Sequence, residues 1–167
     1  LEALDEEAIA KANFICPSLN PTHNEDVLSE SLFKEDHVNR SQYIGHYQNV
    51  YGGYVKEEDY RSKGTSGGFG TYLGAILFRK GMIDGVIHVK ENTRVEPTDA
   101  FFKYGLSSSL EEIRGGARTE YHVVELSEIL NLIHGKPGRY LLVGVPCMSK
   151  TIRGIQLQDE FVKESIK

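Results

Sequence analysis

The feature that most constrains this chain is the run Gly64-Thr65-Ser66-Gly67-Gly68. Three glycines in five residues permit positive φ and close backbone approach, neither of which suits a regular strand or helix. The run leads into FGTYLGAILFRKG, which predicts a helix with apolar positions at Leu73, Ile76, Leu77 and Met82. Ile83-Asp84-Gly85 reads as a turn, and residues 86–89 (VIHV) as a short strand. Loop, helix and strand in that order form the repeating unit of α/β domains. Residues 139–145 (RYLLVGV) add a continuous apolar run, the pattern of a buried parallel strand. Pro146-Cys147 stands at its C-terminal end, and a helix is expected from about Ser149. The fold expected is α/β, with a mixed, partly parallel sheet flanked by helices.

The remaining segments fit around that frame. Residues 1–10 predict a short acidic helix, broken at Phe14-Ile15-Cys16-Pro17 because proline disfavours helix in the residue before it. Residues 17–26 are rich in turn formers, and residues 27–33 predict another short helix. Residues 43–55 (YIGHYQNVYGGYV) predict a strand, or a hairpin turning at Gly52-Gly53. Residues 56–63 (KEEDYRSK) read as a solvated charged stretch, and residues 100–106 as a second strand. Ser108 or Ser109, followed three residues later by Glu111 or Glu112, forms a capping box for a brief helix that Gly115-Gly116 ends. Residues 127–134 predict a helix capped by Ser127 and stopped by Gly135. At 167 residues the chain matches the size of one domain. It opens on Leu1 rather than Met and ends on Ile166-Lys167 without a helix stop signal. Residues 1–167 are therefore expected to be a single α/β domain, and its ends suit a fragment of a longer chain.

Charge and cysteine usage exclude several functions. The net charge of −5 disfavours binding to a phosphate backbone, so no nucleic-acid partner is expected. No apolar stretch approaches the roughly 20 residues that span a bilayer. Two cysteines, Cys16 and Cys147, do not make a disulfide framework, which points to a reducing, cytoplasmic setting. The histidines are His23, His37, His46, His88, His122 and His134, and none forms a metal-type pair at helical spacing. His88, in a short apolar strand, reads as a hydrogen-bonded core histidine.

Two places can carry chemistry. The glycine loop offers backbone amides and the hydroxyls of Thr65 and Ser66, and the helix after it adds unsatisfied N–H groups and a positive dipole end. That combination suits phosphate or pyrophosphate. The same residues equally describe a turn and cap without a ligand, since neither a P-loop ending nor G-x-G-x-x-G spacing is present. Cys147, at a strand end before a helix, has the surroundings of a nucleophile, a redox group or a cluster ligand, or of a buried structural thiol. Arg118 and Arg153 are candidate anion contacts or surface ion-pair partners. Tyr43, Tyr47, Tyr51 and Tyr54 suit core or interface packing, or stacking on an aromatic ligand.

The ordered series GTSGGFGTYL (64–73), GMIDGVI (81–87) and LLVGVPCMSKTIR (141–153) resembles the coenzyme F420 hydrogenase/dehydrogenase beta subunit family. FICP (14–17) and YVKEEDYR (54–61) add to the likeness, which covers most of the chain. The resemblance implies an oxidoreductase: a flavoprotein carrying FAD and 4Fe-4S clusters. Such proteins pass electrons to or from an electron donor or acceptor protein, or the deazaflavin coenzyme F420, and an oligomer is compatible with that role. It implies that Gly64, Thr65, Ser66, Gly67, Gly68 and Thr71 bind the cofactor and that Cys147 is a metal ligand close to it. The family supplies its further cluster cysteines after the V-G-x-P-C segment, and none follows Cys147 here. Glu120 also stands where the family often has a basic residue. These departures leave a second expectation, a degenerate nucleotide- or sugar-nucleotide-binding module in polysaccharide biosynthesis without redox activity. A third is an interaction domain with the tyrosine run as its partner surface.

Overall fold

The computed structural model describes residues 5–16, 18–20, 22, 24–32, 38–93, 96–118 and 122–166. Pro17, His23, His37 and Glu120 lie outside the described residues. The chain divides into two compact units, Leu1–Gly52 with Val145–Glu160, and Gly53–Gly144 with Phe161–Lys167.

The first unit holds helices α1 (Glu6–Ile15) and α2 (Glu25–Leu32) and the hairpin β1 (Asn39–Ser41) and β2 (Gly45–Tyr47). Asp5 sets the start of α1 by accepting the Ala8 amide at 2.6 Å, with Glu6 and Glu7 in the first turn where the dipole favours them. The helix therefore lies later than residues 1–10. It ends at Cys16, whose backbone is extended, as expected of a residue that precedes proline. The hairpin turns through residues 42–44 rather than at Gly52-Gly53. Gly45 closes that three-residue loop at φ +71, a value open to glycine at no steric cost.

The second unit holds most of the core. Its elements are α3 (Tyr60–Lys63), α4 (Phe69–Arg79), β3 (Gly85–Glu91), β4 (Phe102–Ser107), α5 (Leu110–Gly115), α6 (Ser127–His134) and β5 (Tyr140–Leu142). Helices α7 (Pro146–Gln156), in the first unit, and α8 (Glu160–Ser165) complete the chain order. The three-stranded sheet runs β4-β3-β5, with β3 antiparallel to β4 and parallel to β5. This is the mixed α/β arrangement the sequence predicts. The central strand buries Gly85, Val86, Ile87 and His88 in succession, as a strand covered on both faces must. Val55, Tyr60, Ala75, Ile83, Val86 and Ile113 form one core cluster.

Four further local expectations change. Strand β5 covers only Tyr140–Leu142, because pairing stops at Ile87↔Leu142 and a last bond runs from the Val143 amide to the Ile87 carbonyl at 2.8 Å. Helix α7 then starts at Pro146 instead of about Ser149, since proline at the first helical position has its φ already set. In α4 the buried residues are Gly74 and Ala75, while Leu73 is exposed, as is Met82, which lies beyond the end of the helix. The contact is too close for large side chains: a Cβ on Gly74 would stand 3.2 Å from Val86 Cγ2. Ser127 is the first residue of α6 rather than its cap; the Glu125 carboxylate instead accepts the Ser127 amide at 2.5 Å.

Candidate functional site

The glycine loop is built by close backbone packing. Gly68 is the N-cap of α4 at φ +80, and a Cβ there would lie 2.6 Å from the Tyr60 carbonyl oxygen. A Cβ on Gly67 would lie 2.8 Å from the Gly53 oxygen, and one on Gly64 2.9 Å from that of Tyr60. The Gly67 carbonyl accepts the Val55 amide at 2.8 Å, and the Gly64 amide donates to Tyr60 at 3.0 Å. Intramolecular packing thus explains these three glycines. The open part of the loop is the helix entrance. The first intrahelical bond there is Tyr72 N–H to Gly68 O at 3.1 Å, and no side chain caps the helix. The amides of Phe69, Gly70 and Thr71 precede that bond and have no intrahelical acceptor. Ser66, Phe69 and Gly70 are exposed, and nothing lies within 4 Å of a Cβ placed on Gly70. An uncapped, open N-terminus on an 11-residue helix fits a phosphate group of a flavin nucleotide.

Beside the loop stands an ion cluster. Glu58, at φ +50, accepts Arg79 Nη2 from α4 at 3.1 Å and Arg114 Nη1 from α5. Arg114 Nη2 reaches Asp59, which also pairs with Lys63 at 2.6 Å. Arg114 and Arg79 hold the Glu58 carboxyl below its ordinary value, and Lys63, then Arg114, do the same for Asp59. Residues 56–63 are mostly exposed, as a solvated stretch should be, and Glu58, Asp59 and Lys63 among them join an ion network.

On the same unit an open cleft of about 930 Å³ is lined by residues of β3, β4 and α5, with Lys90, Phe102, Glu112, Arg114 and Arg118 among them. None of the glycine-loop residues lines it. Of these lining residues the sequence marks only Arg118 as a candidate anion contact, with Glu111 and Glu112 as capping partners. Lys90 and Phe102 sit on strands, where alternation alone gives no sign that they share a cleft. Glu112 is occupied in holding the start of α5: it accepts the Ser108 amide at 2.8 Å while Ser109 Oγ accepts the Glu112 amide at 3.2 Å. His88 is 6% exposed and bonds Ser107 Oγ through Nε2 at 2.7 Å; burial pushes its pKa down, as suits a core histidine.

The predicted metal ligand lies in the first unit. Cys147 is an exposed free thiol at the second position of α7, which excludes the buried structural role. Cys16 is half-buried at the end of α1. No group of three or more His, Cys, Asp or Glu able to hold a metal occurs among the described residues. A four-iron cluster takes four protein ligands, so the described side chains do not fit one by themselves. Arg153 Nη1 donates to Gln156 Oε1 at 2.8 Å. Tyr43 and Tyr51 are 86% and 87% exposed, and the Arg61 guanidinium lies 3.8 Å from the centre of the Tyr54 ring.

Residues 50–131 match the N-terminal region of the coenzyme F420 hydrogenase/dehydrogenase beta subunit. That segment belongs to the family. It contains the glycine loop, the ion cluster and every residue lining the large cleft. Among solved structures, the chain is similar to one from the F420-reducing nickel–iron hydrogenase complex of Methanosarcina barkeri, with a TM-score of 0.56 and 23% identity. The similarity covers 68% of this chain and 39% of that one, so the chain spans well under half of its neighbour's length. At that identity the likeness is one of fold. No curated protein matches the sequence.

Proposed function

We propose that the chain forms the flavin-binding N-terminal part of a redox protein of the coenzyme F420 hydrogenase/dehydrogenase beta subunit kind. The observation that carries this reading is the uncapped entrance of α4, open at Gly70 and lying within the segment that matches the family. The amides of Phe69, Gly70 and Thr71 hold the phosphate of FAD, and the exposed Thr65 and Ser66 supply hydroxyls beside them. Bound flavin supplies hydride or electron transfer. The chain's own part is to bind and orient the nucleotide and to set its electrostatic surroundings. Cys147 offers one thiolate to a 4Fe-4S cluster whose other ligands are not among the described residues. The external partner is an electron donor or acceptor protein or a deazaflavin, within an assembly in a reducing, cytoplasmic setting. No helix among the described residues is long and apolar enough to cross a membrane.

The test is a visible absorption spectrum of the full-length protein, purified without oxygen and titrated with FAD. Flavin bands with a broad iron–sulfur shoulder, both bleached by dithionite, are expected. A protein that takes up neither FAD nor iron, but binds a nucleotide or sugar nucleotide, contradicts this reading and favours the non-redox module.

A further inference from the structure

Glu58 is the one non-glycine residue with positive φ among the described residues. A glutamate held there is disfavoured unless its surroundings impose the conformation. Two arginines from different helices do so: Arg79 of α4 reaches Glu58 alone, whereas Arg114 of α5 spans Glu58 and Asp59 with its two terminal nitrogens. The Arg114 side chain is 28% exposed, and its guanidinium carbon lies 4.9 Å from the centre of the Tyr60 ring. Tyr60 is itself 2% exposed. Its carbonyl is the atom against which the glycine loop is moulded: it accepts the Gly64 amide and blocks any Cβ at Gly64 and Gly68. A physical chain therefore runs from Arg114 through the turn at residues 58–59 and the Tyr60 carbonyl to Gly68, where α4 begins.

We infer that Arg114 is a positioning residue for the phosphate-binding loop: by clamping Glu58 and Asp59 it fixes the Tyr60 carbonyl, and with it the amides at the entrance of α4. The inference rests on the reading of that entrance as a flavin-phosphate site. A fork-shaped, always-charged guanidinium suits the task, since it spans two carboxylates from a single anchor, which an ammonium does less well.

The experiment uses the full-length protein with Arg114→Met, Arg114→Lys and the double variant Glu58→Gln/Asp59→Asn, each followed by amide hydrogen exchange and by FAD titration. Arg114→Met is expected to speed exchange at the Val55, Gly64 and Tyr72 amides by about tenfold or more, with Ile87 and His88 of β3 unchanged. FAD affinity falls about tenfold in the same variant and is partly regained with Lys. The double variant, which leaves α5 untouched, gives the same pattern should Arg114→Met fail to fold. Exchange that rises equally in β3 and the loop, or loop exchange that rises while FAD affinity holds, overturns the inference. If the wild-type protein takes up no FAD, the flavin reading fails by itself, and the exchange pattern still decides whether Arg114 fixes the loop.

Discussion

Helices α4 and α7 both begin without a side-chain cap, yet the two entrances are made differently. At α4 the chain enters through Gly68 in the left-handed region, with the backbone of Tyr60 pressed where a side chain would go. At α7 it enters through an extended Val145 and Pro146, whose ring fixes φ locally, and Cys147 is exposed. The first entrance depends on long-range packing of residues 53–61, the second on one residue's covalent geometry. Substitutions at Gly68, where the backbone is packed, should disturb fold and binding together. Substitutions at Cys147 should touch chemistry alone.

Gly68→Ala gives the sharpest break in that comparison. A methyl group at φ +80 and 2.6 Å from a carbonyl oxygen should cost about 2–3 kcal/mol in urea unfolding, and an unchanged midpoint would show that the loop is not moulded on Tyr60. The next largest effect is at His88. Its folded pKa is held below the unfolded value of about 6.5, so its contribution is complete above that value and declines as pH falls below it, where the unfolded chain binds the proton more readily. The unfolding midpoint should drop as pH falls below about 6.5, and His88→Gln should flatten that slope; an equally steep slope in the variant would assign it to other groups. Glu58, Asp59 and Asp84, with lowered pKa values, act in a separate window: their stabilisation is present above the ordinary carboxylate range and is lost as pH falls through the folded values.

Gly70→Ala should move the other way. With open space at its Cβ and a helical position to fill, it gains up to about 1 kcal/mol, and a loss there would mean that the α4 entrance is more crowded than its contacts indicate. Cys147→Ser is the smallest effect on folding, within about 0.5 kcal/mol in the same denaturation assay, while iron content of the anaerobically purified protein falls. A destabilised variant with unchanged iron would reverse the contrast between the two entrances.

What the sequence made legible was local. The Ser109 cap with Glu112, the stop at Gly115, the apolar strand around Ile87 and the buried, hydrogen-bonded His88 all follow from patterns a few residues long. The pairing of Arg114 with Glu58 and Asp59 joins residues 56 and 55 apart, and that of Arg139 with Asp84 residues 55 apart, distances at which charge patterning carries no signal. The buried face of α4 is only partly legible for a related reason: Leu77 packs against the core cluster, while Leu73 is exposed. Large apolar residues usually mark the core face, but here Gly74 and Ala75 allow the helix to approach Val86 and Ile113 closely. In the site, three glycines in five residues mark the loop as special, but their immediate cause is contact with the chain's own backbone. The atoms proposed to meet the phosphate are amides that no side-chain pattern reports.

The measurement that tests the central claim most directly is FAD affinity of full-length Gly70→Asp, with unfolding followed in parallel. Space is open at that position, and a carboxylate in the first turn is favoured by the helix dipole, so the fold should be as stable as wild type or slightly more so. The same carboxylate repels a phosphate held at those amides. FAD affinity reduced about tenfold or more at unchanged stability is the predicted result. Wild-type FAD affinity in the folded variant would contradict the placement of the flavin phosphate at the entrance of α4.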